Sequence, residues 1–161
     1  MATPLHASEP DQDVPPTAEY PITFDRADLG SSPLGRFLRT RWAQSSALLK
    51  SAISAHLFDG VRPATLAQTA KRAGMECNAA GTECRYSALV RARILPGHAV
   101  QKFFAGSNTL RITVMACSDG ADVRLQVEKK PQPDGTVSGQ ALPQPFAPLC
   151  HCLDTCQENP D

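Results

Sequence analysis

Three runs of alternating apolar and polar residues constrain this chain more than anything else in it. From Cys84 onward Tyr86, Ala88, Val90, Ala92 and Ile94 are apolar while Arg85, Ser87, Arg91 and Arg93 interleave, with Leu89 the exception. The pattern returns at Leu110, Ile112, Val114 and Ala116 against Arg111, Thr113 and Met115, and again at Val123, Leu125 and Val127 against Asp122, Arg124, Gln126 and Glu128. A period of two marks a strand with one buried face, so the spacing predicts a three-stranded antiparallel meander between Cys77 and Lys130. Asp119-Gly120, between the last two runs, is the strongest short signal for a two-residue hairpin turn. With that pair at the centre Ser118 faces Ala121, Ala116 pairs with Val123, Val114 with Leu125 and Ile112 with Val127. On the opposite face Arg111 then meets Glu128, and Met115 meets Arg124.

Ahead of the meander the period changes. Ser32-Pro33 is a helix N-cap followed by Pro at the first helical position. Leu34, Phe37, Leu38, Trp42, Ser45, Leu48, Leu49, Ala52, Ile53 and Leu57 then recur at three- and four-residue steps, which predicts one amphipathic helix to about Phe58, stopped by Gly60. Arg36, Arg39, Arg41 and Lys50 decorate it as a solvated face. A shorter helix starts at Pro63, turns Leu66, Ala67, Ala70 and Ala73 inward, and ends at Gly74. The expected fold is therefore α+β, two N-terminal helices packed on a three-stranded antiparallel sheet in the order ααβββ.

The flanks read differently. Residues 1–30 hold five prolines, six acidic residues and one Arg without apolar periodicity, the composition of a disordered leader. The domain proper is expected over 31–130. A Pro- and Cys-rich irregular tail follows over 131–161, with little to bury but Phe146. At 161 residues there is room for one cored domain plus tails. A net charge of zero recruits neither nucleic acid nor anionic membrane. No apolar run approaches the roughly 20 residues a membrane-spanning helix needs, and the first residues lack the basic start and apolar centre of a signal peptide. The chain is thus either cytoplasmic or a mature segment bearing an added start Met; if the domain hangs from a membrane by a removed or lipidated N-terminus the leader is its tether, and otherwise it is a floppy end with no role.

Six cysteines favour an oxidising compartment and a disulfide framework. Cys77 and Cys84 flank a short Gly-containing turn and are the first expected pair. Cys117 falls on the polar face of the sheet, which suggests that the tail crosses there and that Cys117 is bridged to Cys150, Cys152 or Cys156. A Cys150–Cys152 ring would be very tight, so Cys117–Cys152 with Cys150–Cys156 is the first arrangement to test. The alternative is reduced thiols in a cytosolic protein, with Cys150-His151-Cys152 and Cys156 closing a tetrahedral zinc shell. Against it, zinc knuckles space their ligands by about two to four residues and draw a second pair from another element, so no metal or other cofactor is expected.

Catalytic patterns are missing. His6, His56, His98 and His151 could act as bases, but there is no nucleophile elbow, no His-Glu-x-x-His and no phosphate-binding glycine loop. Arg85, Arg91, Arg93, Arg111 and Arg124 share one side of the sheet, yet no aromatics interleave and Asp122 and Glu128 oppose them, unlike a nucleic-acid groove. Between the first two strands, Pro96-Gly97-His98 is a turn, and Val100, Phe103 and Phe104 form an apolar knot closed by Gly106-Ser107-Asn108. The adjacent phenylalanines are either a lid on the core or a contact for a partner.

The order helix, helix, meander resembles small periplasmic lipoprotein domains of the BamE (SmpA/OmlA) type, carried by Leu66 to Gly74, Met75-Glu76-Cys77, Cys84-Arg85-Tyr86 and the Asp119-Gly120 hairpin, about residues 60–130. The long first helix and the cysteine-rich tail are additions, and no lipobox Cys is present. The resemblance implies an envelope protein working as a binding scaffold, with no catalytic residues to transfer. The expected function is a non-enzymatic periplasmic or outer-membrane-associated module that binds another protein, an envelope component or a secreted effector or toxin. Its expected surface is Phe103, Phe104 and His98, beside Arg91, Arg93, Arg111 and Arg124.

Overall fold

In a computed structural model, residues 16–17, 19–98 and 102–137 are described. They form an α+β domain with a five-stranded antiparallel sheet. The strands are β1 (Ile22–Asp25), β2 (Glu76–Cys77), β3 (Glu83–Ile94), β4 (Thr109–Ser118) and β5 (Val123–Gln132), in the order β1-β3-β4-β5 with β2 also pairing β3. The three expected strands are present, and two short ones extend the sheet. Strand β1 lies in the stretch read as leader. Its four residues, Ile22-Thr23-Phe24-Asp25, are too few to display a period, and their partners, Arg91 to Ile94, lie far away in the sequence.

β1 and β2 pair with opposite ends of one β3 edge, leaving a gap between them. A 3-10 turn, Ala27–Leu29, fills it. The Asp28 carboxylate accepts the Leu89 N–H at 2.7 Å, and the Tyr86 hydroxyl donates to the Leu29 carbonyl at 2.7 Å. The Leu89 N–H, which would otherwise lie on an open strand edge, is thereby satisfied. Burial, with Asp28 close by, raises the Tyr86 hydroxyl well above the usual phenol range, so it remains a donor.

The single long helix expected from Pro33 to Phe58 is two helices, α1 (Pro33–Arg39) and α2 (Ser46–Leu57). Ser45 explains the break. Counted into the apolar stripe by spacing, it is instead an N-cap whose hydroxyl accepts from Leu48 N at 3.2 Å, a role short polar side chains fill better than a helix interior. The bend carries Trp42, which is buried. Several basic residues read as a solvated face bind carbonyls: Arg36 that of Ser31, Arg39 that of Gly30, and Arg41 that of Phe37 while lying 4.1 Å over the Phe37 ring.

Helix α3 (Leu66–Ala73) follows a 3-10 turn at Pro63–Thr65 and ends, as the sequence predicts, at Gly74 in the left-handed region. A Cβ there would lie 2.4 Å from both Cβ and Oγ of Ser32, so only glycine lets the end of α3 abut the start of α1. The core joins Leu34, Leu38, Trp42, Leu49, Ile53, Leu66 and Ala70 to Cys84, Ala88, Val90, Ile112, Val114, Ala116, Leu125 and Val127 on one face of the sheet.

The β4–β5 hairpin forms, with its turn one residue later than expected. Asp119 and Asp122 flank Gly120-Ala121, and the Asp119 carboxylate accepts from Ala121 N and Asp122 N, each at 2.8 Å. These bonds to the charged form hold the Asp119 carboxyl below the usual carboxylate range. Asp119 therefore caps the turn instead of occupying its centre. Ser118 pairs with Val123, Ala116 with Leu125, Val114 with Val127 and Thr113 with Glu128, while Arg111 lies opposite Lys130. A two-residue change of partner leaves every side chain on its expected face.

Candidate functional site

Cys77 and Cys84 are direct partners in the β2–β3 ladder and form the expected disulfide. The loop they enclose is braced by Asn78, whose side-chain oxygen accepts from Thr82 N at 2.9 Å and Glu83 N at 3.1 Å. Cys117 is also disulfide-bonded, and no cysteine among the described residues is free. The choice among Cys150, Cys152 and Cys156, and the Cys150-His151-Cys152 cluster itself, lie outside the described residues. Among the described residues no group of three potential metal ligands converges, and no helix is long and apolar enough to cross a membrane.

Ahead of β4, the described segment Lys102–Asn108 is braced by two sets of bonds. Phe104 and Ser107 exchange backbone hydrogen bonds at 2.6 and 2.7 Å around Ala105-Gly106, both at positive φ, the backbone of a tight reverse turn. The Asn108 side chain accepts from Phe103 N at 2.8 Å. Asp134, just past β5, braces the same segment: it accepts from Asn108 N at 2.8 Å and Ser107 Oγ at 3.1 Å, and pairs with Lys102 Nζ at 2.5 Å. The Lys102 bond first, then the Asn108 amide, pull the Asp134 carboxyl down to about 2.

On this frame four aromatic rings meet. Phe24 lies 4.9 Å from Trp42 and 5.1 Å from Phe103, Phe103 is edge-on to Phe104 at 5.0 Å, and Phe104 lies 5.9 Å from Trp42. Tilted and edge-to-face contacts at these separations are the favoured ones. The two phenylalanines thus divide the roles the sequence left open. Phe104 packs against the core, whereas Phe103 is 41% exposed on a loop whose backbone is already fixed. Val100 lies outside the described residues. His98 is half-buried, and its Nε2 is buried without a hydrogen-bond partner among the described residues.

The arginine row does not form the open surface expected beside Phe103. Arg85 and Arg111 are buried. Burial lowers both guanidinium pKa values, opposed by Glu83 and Glu76 at Arg85 and by Asp28 at Arg111. Arg111 also donates to Ser87 Oγ at 3.0 Å, and Arg91 donates to the Thr136 carbonyl. Arg93 and Arg124 are exposed. Leu89, Thr113, Met115 and Cys117, on the same face, are buried as well. Alternation shows which residues share a face; it does not show whether that face is covered.

Sequence reading missed Phe24 and Trp42 as ring partners and Asp134 as the anchor. Asp134-Gly135 was visible as a turn signal, but nothing in it points to a loop about 30 residues earlier. The chain is matched by no family model, no curated protein and no solved structure.

Proposed function

We propose that this chain is a non-enzymatic, extracytoplasmic module that binds another protein through the surface centred on Phe103. The observation that carries the reading is an exposed aromatic ring held in place by two ring neighbours and a cross-braced loop. Pre-ordered aromatics lose little entropy on association and supply much of the binding energy at protein interfaces. The disulfides at Cys77–Cys84 and at Cys117 are compatible with an oxidising compartment, and a BamE-like envelope scaffold would work in such a place. The binding surface we propose comprises Phe103 with Arg93 and the half-buried His98. Arg111 is excluded from it by burial, and Phe104 supports Phe103 from beneath.

The test compares native protein with Phe103→Ser in cross-linking of envelope extracts read by mass spectrometry. The expected result is one protein captured by the native chain and lost with Phe103→Ser at unchanged melting temperature. Identical capture profiles for the two would overturn the assignment of Phe103. Phe104→Ser is unsuitable as a probe, since its ring packs on the core and its loss would disturb the fold.

A further inference from the structure

β1 is a border strand of the sheet. The Ala92 N–H donates to the Asn108 carbonyl at 2.8 Å, so this residue of β3 turns its backbone to the β4 side and away from Phe24, its partner on β1. One position beyond Ile94, the Leu95 N–H donates to the Pro21 carbonyl at 2.7 Å. Backbone groups alternate sides along an antiparallel pair. Pro21, Thr23 and Asp25 therefore face β3, while the N–H and C=O groups of Ile22 and Phe24 face outward. These outward groups meet no hydrogen-bond partner among the described residues. At Tyr20 the edge is closed by Thr17, the two residues exchanging backbone bonds at 3.0 and 3.1 Å. Pro15 and Pro16, ahead of that pair, have no N–H with which to carry the pairing on along β1.

The side chains beside this edge are apolar. Ile22 and Phe24 are half-buried, alternation sets Tyr20 on their side of the strand, and Phe103 stands 5.1 Å from Phe24. Tyr20 and Phe103 are 43% and 41% exposed. Outward N–H and C=O groups on alternate residues are complementary to an extended backbone, and the rings beside them to apolar side chains at every second position of it. We propose that β1 captures an extended segment of the partner protein as an added strand, antiparallel like every other pair in the sheet. The segment bonds to Ile22 and Phe24 and lays its alternate apolar side chains against Tyr20, Phe24 and Phe103. This rests on the Phe103 reading and gives the partner's contact a conformation.

The probe is the peptide acetyl-Thr-Leu-Thr-Phe-Thr-amide, titrated into the full, oxidised chain and followed by amide NMR. In an antiparallel pair its Leu and Phe carry the N–H groups that bond to β1. The expected result is saturable binding that slows exchange of the Ile22 and Phe24 amides. N-methylation of the peptide at Leu and Phe should weaken binding about tenfold, methylation at the central Thr should leave it unchanged, and Phe103→Ser should weaken it about fivefold at unchanged melting temperature. Equal affinity for the two methylated peptides, with the Phe103→Ser effect intact, would overturn strand addition and leave the Phe103 surface standing. Binding equally tight in Phe103→Ser would overturn both readings. No saturable binding would overturn strand addition, as would Ile22 and Phe24 amides already slow to exchange in the free chain, since the chain itself or a second copy would then fill the edge.

Discussion

Removing the Cys77–Cys84 crosslink should cost stability mainly through the unfolded chain, and the size of the effect follows from the structure. The two residues are separated by seven positions. For a loop that short, chain entropy gives about 8 cal/mol/K, or about 2.4 kcal/mol at 25 °C. In Cys77→Ala/Cys84→Ala the fully buried Cys84 sulfur is lost too, which adds roughly 1 kcal/mol of packing. A loss of about 3 kcal/mol corresponds to a fall of around 10 °C in melting temperature for a domain of this size. Urea unfolding followed by both Trp42 fluorescence and far-ultraviolet circular dichroism measures it, with coincident curves required for a single transition. A loss under about 1 kcal/mol would refute the reasoning. It would mean that Asn78, through its bonds to Thr82 and Glu83, already keeps the loop closed in the unfolded chain, leaving the crosslink little freedom to remove.

Two further predictions concern the loop anchor and a backbone contact. Asp134 titrates near 2 in the folded protein against about 3.9 in an unfolded chain. Its contribution is therefore complete above the unfolded value and disappears as pH falls from about 5 toward 2; side-chain carboxyl shifts in NMR should place the midpoint near 2, and a midpoint near 4 would show that the clasp on Lys102, Ser107 and Asn108 does not form in solution. Gly35→Ala would set a methyl 2.0 Å from the Leu29 carbonyl oxygen, a clash only backbone movement can relieve, so chemical denaturation should show a loss of roughly 2–3 kcal/mol; a loss below about 0.5 kcal/mol would show that α1 does not rest on the 3-10 turn.

The long strands, the α3 stop at Gly74 and the Cys77–Cys84 bond were legible because each has a local cause: alternation, a left-handed cap and a short loop. The hairpin shows how far local cause reaches. Asp119-Gly120 located the turn, but a carboxylate that caps a turn and a residue at its centre look alike in the sequence, and the pairing moved accordingly. The unbroken stripe across Trp42 and Ser45 concealed a boundary because a Ser at a helical step reads as a small core residue until its hydroxyl is seen to accept from Leu48. At the candidate site Phe103 and Phe104 were identified but not separated, since their division of labour depends on Phe24 and Trp42, which arrive from other elements. The arginine row shares one face as its spacing predicts, yet only Arg93 and Arg124 are exposed while Arg85 and Arg111 are buried, because covering a face is a property of the rest of the chain.

The twelve-residue β3 carries every other lateral connection in the sheet apart from β4–β5. β1 reaches it from about 70 positions upstream, the widest sequence separation among the strand pairings of the sheet and so the costliest of them to close. Local contacts allow the hairpin to zip first, while the N-terminal border must await synthesis of its far counterpart. Until that closure the Leu89 amide, not yet bonded to the Asp28 carboxylate, is an unpaired donor on the β3 edge, and Phe24 has not yet joined the aromatic cluster. Completion of that edge and of the Phe103 platform is consequently a single event late in assembly.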